Sequence, residues 1–342
     1  GFYNYKIVRK FDSSTVWIAR YYPYPYSRLK DLISKIYKDP YVKIDTIGLT
    51  PQGRNMFMVT ITNPKTDDKN KKRIWLHART HPSETPGSFA VEGLINYLLS
   101  ECNKCCGNVD LKKLIFNIVP MVNIDGVAEG NARVTPDSSF DLERMWHRSQ
   151  KNQFELADSA ALEVKNIHGA IKKLIGSGIP FIAALNLHSK NAPHDWRPFI
   201  YSNFRRTLEA HGSEGDSLFL RHLSFAKIIS SYYCGDTVFV RQSYDPALPM
   251  QKKPFPESWW WTNFKDSVLA ATIELTTGYN GCYEEWVSWR DHIQFGEALA
   301  EALQIYYNFY IEKTWYRYDA PCTDLRELYK FFKGEDLDKN LQ

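Results

Sequence analysis

The chemistry-bearing residues that stand closest together in this chain are His81 and Glu84, at the end of the run Ile74-Trp75-Leu76-His77-Ala78-Arg79-Thr80-His81-Pro82-Ser83-Glu84. An apolar run closed by a turn reads as a buried strand, and Pro82 with Thr85-Pro86-Gly87 stops it and opens a helix. An imidazole and a carboxylate separated by two residues on such a turn can converge on one cation, and a catalytic zinc commonly takes His₂Glu with one position left open. The pair alone is weak, and an ordinary surface turn is the commoner reading of it. A metal site needs a distant second histidine, and hydrolysis there needs a base and cationic groups that stabilise anionic charge.

The elements around this pair follow from periodicity. Tyr21-Tyr22-Pro23-Tyr24-Pro25-Tyr26 is extended, because proline fixes φ and removes donors. Ser27 is the expected cap of a helix over 28–37, striped by Leu29, Leu32, Ile33 and Ile36. Segments 42–49 and 56–62 alternate as strands about a Pro51-Gln52-Gly53 turn, and a helix carrying Phe89, Leu94, Ile95 and Leu98 follows Glu84. Segment 114–122 reads as a buried strand ended by an Asn123-Ile124-Asp125-Gly126 turn, and 127–150 has no period, as functional segments often do not. Helices are expected over 156–174, 217–232, 292–310 and 324–332, and strands over 179–187, 236–242 and 268–275. This alternation predicts an α/β domain with a mixed, mostly parallel central sheet and helices on both faces. Ligands bind outside the carboxyl ends of strands in such sheets, and His81, His188 and Glu274 each fall at one.

Composition narrows the partners. The 342 residues can bury a core, and 43 basic against 39 acidic residues leave +4, too little and too scattered for a nucleic-acid footprint. A small or peptide-like partner is expected, and no apolar run is long enough to span a membrane. The chain begins at Gly1 instead of Met, which suggests processing and an exported, periplasmic or secreted, location, with a cytoplasmic one as the alternative. Cys102, Cys105 and Cys106 resemble half a zinc ribbon, but no second pair completes it, so an exposed loop with free thiols or a local disulfide is expected. No Gly-x-Ser-x-Gly elbow supports a serine hydrolase.

The ordered set of His81-Pro82-Ser83-Glu84, Pro120-Met121-Val122-Asn123-Ile124-Asp125-Gly126, Gly130-Asn131-Ala132-Arg133, Asp141-Leu142-Glu143-Arg144, His188 and Glu274 resembles the zinc metallocarboxypeptidases, and among them the cytosolic carboxypeptidase-like branch. Residues 21–29 are similar to the Tyr-Pro-Tyr entry of that branch's catalytic domain, and the similarity runs over roughly residues 15–310. The resemblance implies one Zn²⁺ held by His81, Glu84 and His188, with Glu274 as general base. It implies that Arg133 faces the oxyanion, that Arg144 clamps a substrate carboxylate, and that Asp141 accepts the second ring N–H of a ligand histidine, His81 being expected. The expected layout is an extended arm over 1–26, a zinc carboxypeptidase-like catalytic domain over 27–320 and a helical tail over 321–342. Such a protein would hydrolyse a C-terminal peptide or amide bond. The alternatives are a cell-wall peptide amidase on the same scaffold and a zinc-binding peptide-recognition protein without turnover.

Two positions depart from the family pattern. Members read Asp-Leu-Asn-Arg where this chain has Glu143, and a carboxylate there would repel a substrate carboxylate unless it is turned away, protonated or paired with Arg144. Glu143 is therefore weighed as reading a substrate ammonium group or as an ion-pair partner of Arg144. The mobile substrate-binding tyrosine is absent at its usual distance before the base, and Tyr244 is the nearest candidate. Trp259, Trp260 and Trp261 lie where the specificity pocket is usually built, one expected in the core and another on the cleft wall. His77 is expected to be a buried, hydrogen-bonded histidine.

Overall fold

The computed structural model describes residues 8, 10–16, 18–19, 21–190, 198–202, 208–233, 238–242, 254–280 and 285–314. Eight strands, β1 (Val42–Leu49), β2 (Asn55–Ile61), β3 (Lys72–Ala78), β4 (Leu114–Val119), β5 (Phe181–Ser189), β6 (Phe199–Ser202), β7 (Phe239–Gln242) and β8 (Leu269–Leu275), form one sheet in the order β1-β2-β4-β3-β5-β8-β6-β7. Its centre, β4-β3-β5-β8, is parallel, as is the edge pair β6-β7; the β1-β2, β2-β4 and β6-β8 pairs are antiparallel. Strands β9 (Tyr279–Asn280) and β10 (Glu285–Trp286) make a separate small ribbon.

The central strands are buried along almost their whole length, Lys72 of β3 and Glu274 of β8 being the partly exposed positions, because both faces are covered, which is why they read as near-continuous apolar runs. On one face Ile74 and Leu76 of β3, Leu185 and Leu187 of β5, and Ala271 and Ile273 of β8 meet helices α2 (Thr85–Leu99), α6 (Leu208–Tyr232) and α8 (Trp289–Tyr307). On the other, Trp75, Ala184 and Ala270 meet α5 (Leu162–Ile175) and α7 (Pro256–Phe264). Helices α2 and α8 cross closely through glycine: a Cβ on Gly93 would lie 2.2 Å from the Ile293 carbonyl oxygen, and one on Gly296 1.9 Å from that of Ala90. No helix among the described residues is long and apolar enough to cross a membrane.

Several boundaries differ from the sequence expectation for identifiable reasons. Helix α1 (Tyr26–Ile36) starts two residues early, with extended Pro25 at its cap and Ser27 inside the helix instead of capping it. The helix expected from 156 begins at Leu162, because Arg148 and Leu156 pair as an antiparallel bridge and the Ala157 amide donates to the His147 carbonyl at 2.8 Å, holding this stretch extended. The cysteine cluster is not a loop: Ser100 Oγ accepts the Asn103 amide at 3.2 Å and opens helix α3 (Glu101–Cys106), on which Cys105 is exposed and free. Asn123 is likewise a cap rather than part of a bare turn, its Oδ1 accepting the Gly126 amide at 3.0 Å at the start of α4 (Ile124–Glu129). Helix α8 begins at Trp289, three residues early, on a capping box between Ser288 and Asp291. The tail expected over 321–342 lies outside the described residues.

Candidate metal centre and active site

Strand register builds the site in two rows. Side chains alternate across a strand, so Trp75 and His77 of β3, Ala184, Asn186 and His188 of β5, and Ala270, Thr272 and Glu274 of β8 share the face covered by α5 and α7. His77 pairs with Asn186 and Asn186 with Thr272, forming an inner row; His188 pairs with Glu274 one step nearer the carboxyl ends. The β3 chain then turns to bring His81 and Glu84 over the outer row.

That turn is held under strain. Arg79 has a left-handed φ of 63°, which costs a residue with a Cβ roughly 1–2 kcal/mol. Its buried guanidinium offsets the cost: Nε donates to the Pro82 carbonyl at 2.7 Å, and Nη1 donates to the Tyr24 carbonyl at 3.1 Å and to Ser88 Oγ at 3.0 Å. The Asn123 amide donates to the Arg79 carbonyl at 3.1 Å, and the Ser83 amide to that of Ala132 at 3.1 Å. Asp125, in the Asn-x-Asp-Gly segment, anchors the β1–β2 turn, accepting from Thr50 Oγ1 at 2.8 Å and from Arg54 Nη1 at 2.6 Å.

His81, Glu84 and His188 are all buried, and one ligand atom from each lies within 4.8 Å of the others. The two Nδ1 atoms are 3.2 Å apart; Glu84 Oε1 is 2.8 Å from Nδ1 of His81 and Oε2 is 2.8 Å from Nδ1 of His188. The opposite ring nitrogens face carboxylates, His81 Nε2 to Asp141 Oδ1 at 3.0 Å and His188 Nε2 to Glu143 Oε2 at 3.1 Å. A carboxylate only accepts, so without an ion Glu84 takes a proton from a charged ring at Nδ1, whereas with a cation in the site each ring would keep its proton on Nε2, facing Asp141 or Glu143, and turn its Nδ1 lone pair to the ion. Two imidazole nitrogens and an anion crowded together suit a cation: zinc–ligand distances of ~2.0–2.2 Å at tetrahedral angles separate donors by roughly 3–3.5 Å, so the two Nδ1 atoms already stand at that spacing and Glu84, at 2.8 Å from each, would draw back slightly.

The electrostatics agree. Burial disfavours a proton on either histidine, but Asp141 and Glu84 around His81, and Glu143 and Glu84 around His188, outweigh it and raise both pKa values, that of His188 strongly. A site that attracts a proton so firmly also attracts a divalent ion. Glu84 is pushed down to about 2, the two histidines, His188 foremost, overcoming its burial. Glu274 goes the other way: burial lifts its carboxyl to about 7, against the pull of His188. Its Oε2 is enclosed and has no hydrogen-bond partner among the described residues.

Asp141 is the hub of the opening. Besides facing His81, its Oδ2 accepts from Arg133 Nε at 2.9 Å and from Arg144 Nη1, and these partners, against its partial burial, hold it well below the usual carboxylate range. Both arginine side chains remain about half exposed, at 47% and 52%, and the Arg144 guanidinium lies 5.7 Å over the Phe255 ring. Glu143 does not pair with Arg144 and does not point into the opening. It is buried, with Asn186 Nδ2 donating to its Oε1 at 3.1 Å and its Oε2 at 2.9 Å. Its carboxylate thus lies behind His188, away from the Arg144 with which an ion pair was weighed. Tyr244 lies outside the described residues.

The Trp259–Trp261 segment forms part of α7, and all three rings are buried, Trp259 and Trp260 against β5 and α5 and Trp261 in the opposite core, so none walls the cleft. What α7 contributes instead is Glu257, a buried carboxylate that accepts from Thr272 Oγ1 and lies 3.5 Å from Asn186 Nδ2. Burial and then the neighbouring Glu143 raise it to about 7. His77 is buried as expected, accepting from Trp75 Nε1 at 3.0 Å, and burial lowers it to about 4. Asn186 and Glu257 were not foreseen. Asn186 was within reach, since it shares a strand face with His188 two residues on, whereas nothing local marks Glu257.

Comparison with known proteins agrees with this geometry. Residues 31–193 match the zinc carboxypeptidase family model. Cytosolic carboxypeptidase 2 of Xenopus tropicalis is 37% identical over 151 residues, 42% of this chain and 15% of that protein. Human cytosolic carboxypeptidase 6 is 36% identical over 129 residues, 36% of this chain and 25% of that protein. The chain thus matches a quarter or less of the length of these relatives. Among solved structures, the metallo-carboxypeptidase of Burkholderia cenocepacia superposes with a TM-score of 0.67 at 21% identity, over 84% of this chain and 70% of that one. A Pseudomonas aeruginosa metallo-carboxypeptidase bound to (2-guanidinoethylmercapto)succinic acid gives 0.63 at 21%, over 83% and 69%. The fold is that of these solved structures, and residues 31–193, just under half of the chain, carry the match to the zinc carboxypeptidase family model.

Proposed function

We propose that this protein hydrolyses the C-terminal peptide bond of peptide substrates at a single zinc ion held by His81, Glu84 and His188. The observation that carries this is the convergence of two imidazole Nδ1 atoms and the Glu84 carboxylate beside a Glu274 oxygen with no partner among the described residues. Zinc bound there would polarise the scissile carbonyl and acidify a water molecule. Glu274, ionised, takes the proton of that water on a carboxylate oxygen and returns it to the leaving amine. Arg133 directs a guanidinium at the oxyanion that develops on the carbonyl, and Arg144 clamps the substrate carboxylate with the N–H groups that Asp141 does not occupy. Asp141 holds the His81 proton on Nε2 and aligns both arginines. Tyr244 is a candidate for closing over the substrate.

The test is turnover of peptides with free and with amidated C-termini by zinc-loaded protein, followed by mass spectrometry. Loss of one residue from the free peptides alone is expected. Glu274→Gln should bind zinc as the parent does yet lose at least about a hundredfold in kcat, the usual scale of a missing general base. A parent that binds zinc and turns over neither peptide would instead favour a peptide-recognition protein.

A further inference from the structure

Within the turn of residues 141–144, alternate carboxylates face opposite histidines. Asp141 Oδ1 lies 3.0 Å from Nε2 of His81, and Glu143 Oε2 lies 3.1 Å from Nε2 of His188. The second contact is built as firmly as the first: Asn186 Nδ2 spans both Glu143 oxygens at 3.1 and 2.9 Å, and Asn186 is fixed in the middle of β5 by pairing with β3 and β8. Glu143 is 8% exposed, while the Arg144 side chain beside it is 52% exposed, so neighbours in one turn serve different sides of the site. No lysine or arginine contacts Glu143 among the described residues; its hydrogen-bond partners there are Asn186 and His188.

We infer that Glu143 is a positioning residue for His188: it keeps the ring proton on Nε2, sets the ring plane, and so aims Nδ1 at the cation, and it does not read the substrate. Each histidine of the site then has its own carboxylate, both supplied by one turn. An imidazole held in this way is a better-oriented and more basic ligand than a free one, and loss of such an outer partner usually weakens metal binding 10–100-fold. The inference rests on the metal site proposed above.

The experiment compares the parent with Glu143→Gln and Glu143→Ala. Metal-free protein is titrated with Zn²⁺ against a chromophoric chelator, and the Co²⁺-loaded forms are compared by visible absorption. The expected result is zinc binding weaker by about 10–100-fold in Glu143→Ala and by less in Glu143→Gln, whose amide oxygen can still accept the Nε2 proton. The cobalt bands should shift, kcat should fall, and KM should stay within about twofold. The glutamine variant, equal in size to the parent side chain, keeps the test valid if the alanine variant folds poorly. Unchanged zinc affinity and cobalt spectrum in both variants, with KM raised, would overturn the inference and return Glu143 to substrate recognition. A parent that binds no zinc would overturn the metal site and the inference together.

Discussion

Glu274 and Asp141 are two acids in one opening whose environments drive them apart, and each predicts its own behaviour. Burial holds the Glu274 carboxyl at about 7, and a base works only when ionised, so kcat/KM should fall as pH drops, by about tenfold per unit below the limb. Zinc at the proposed site would add positive charge beside it and move the limb down from there. A pH series of kcat/KM from 4 to 8 checks this, and activity still flat at pH 4.5 would remove Glu274 from the role of base. Asp141 is held ionised by His81 and two arginines, so its charge stays constant over that range. Asp141→Asn should therefore lower activity without moving the limb. It should weaken zinc by roughly 10–100-fold, because His81 loses the anion that fixes its proton. It should also raise KM, since Arg133 and Arg144 lose their common anchor at Oδ2. Equal zinc affinity in variant and parent would contradict this account of Asp141.

The helices and strands that hold these residues were legible in unequal measure. His188 and Glu274 could be placed because each falls near the end of a short, mostly apolar run whose alternation of two fixes which face the side chain takes. The orientation of Glu143 could not, because residues 142–144 form a single turn of 3₁₀-helix in a stretch without periodicity. In that geometry positions three apart eclipse, which sets Asp141 and Arg144 together at the opening and turns Leu142 and Glu143 inward. The tryptophan run misled for a related reason: as an extended segment it would alternate sides, but as helix α7 it buries all three rings and delivers Glu257 to the inner row. The crossing of α2 and α8 was invisible as well, since nothing marks Gly93 and Gly296 as partners until the helices meet. Gly296→Ala forces a methyl against the Ala90 carbonyl, and the helices must separate. It should cost roughly 1–3 kcal/mol, read as a lower urea midpoint, despite alanine's better helix propensity. A variant as stable as the parent would show that the helices slide apart freely.

Across the molecule as a whole, buried acids beneath the site make stability depend on pH. The Glu257 carboxyl is raised to about 7 from an ordinary 4.5, burial being the larger cause and Glu143 the next. A folded-state pKa above the unfolded one gives stability that is intact below pH 4.5 and declines as pH rises through about 7. Glu257→Gln removes that decline and should stabilise metal-free protein at pH 8 relative to pH 5 by on the order of 1–3 kcal/mol. Parallel melting curves for the two proteins at both pH values would refute it. A last consequence concerns where a minimal fragment can begin. The Tyr/Pro-rich stretch looks dispensable, and Ser27 looks like a natural start. Yet the Tyr24 carbonyl takes a hydrogen bond from the buried Arg79 guanidinium, and the Tyr24 ring is packed edge-on to Phe89 at 5.0 Å. A fragment started at Ser27 would leave that guanidinium short of an acceptor in the turn that carries His81, so it should melt lower and hold zinc more weakly than one started at Tyr21. If the two fragments behave alike, the stretch is packaging; if they differ as expected, anyone trimming this protein for expression or crystallisation would be cutting into its metal site from some sixty residues away.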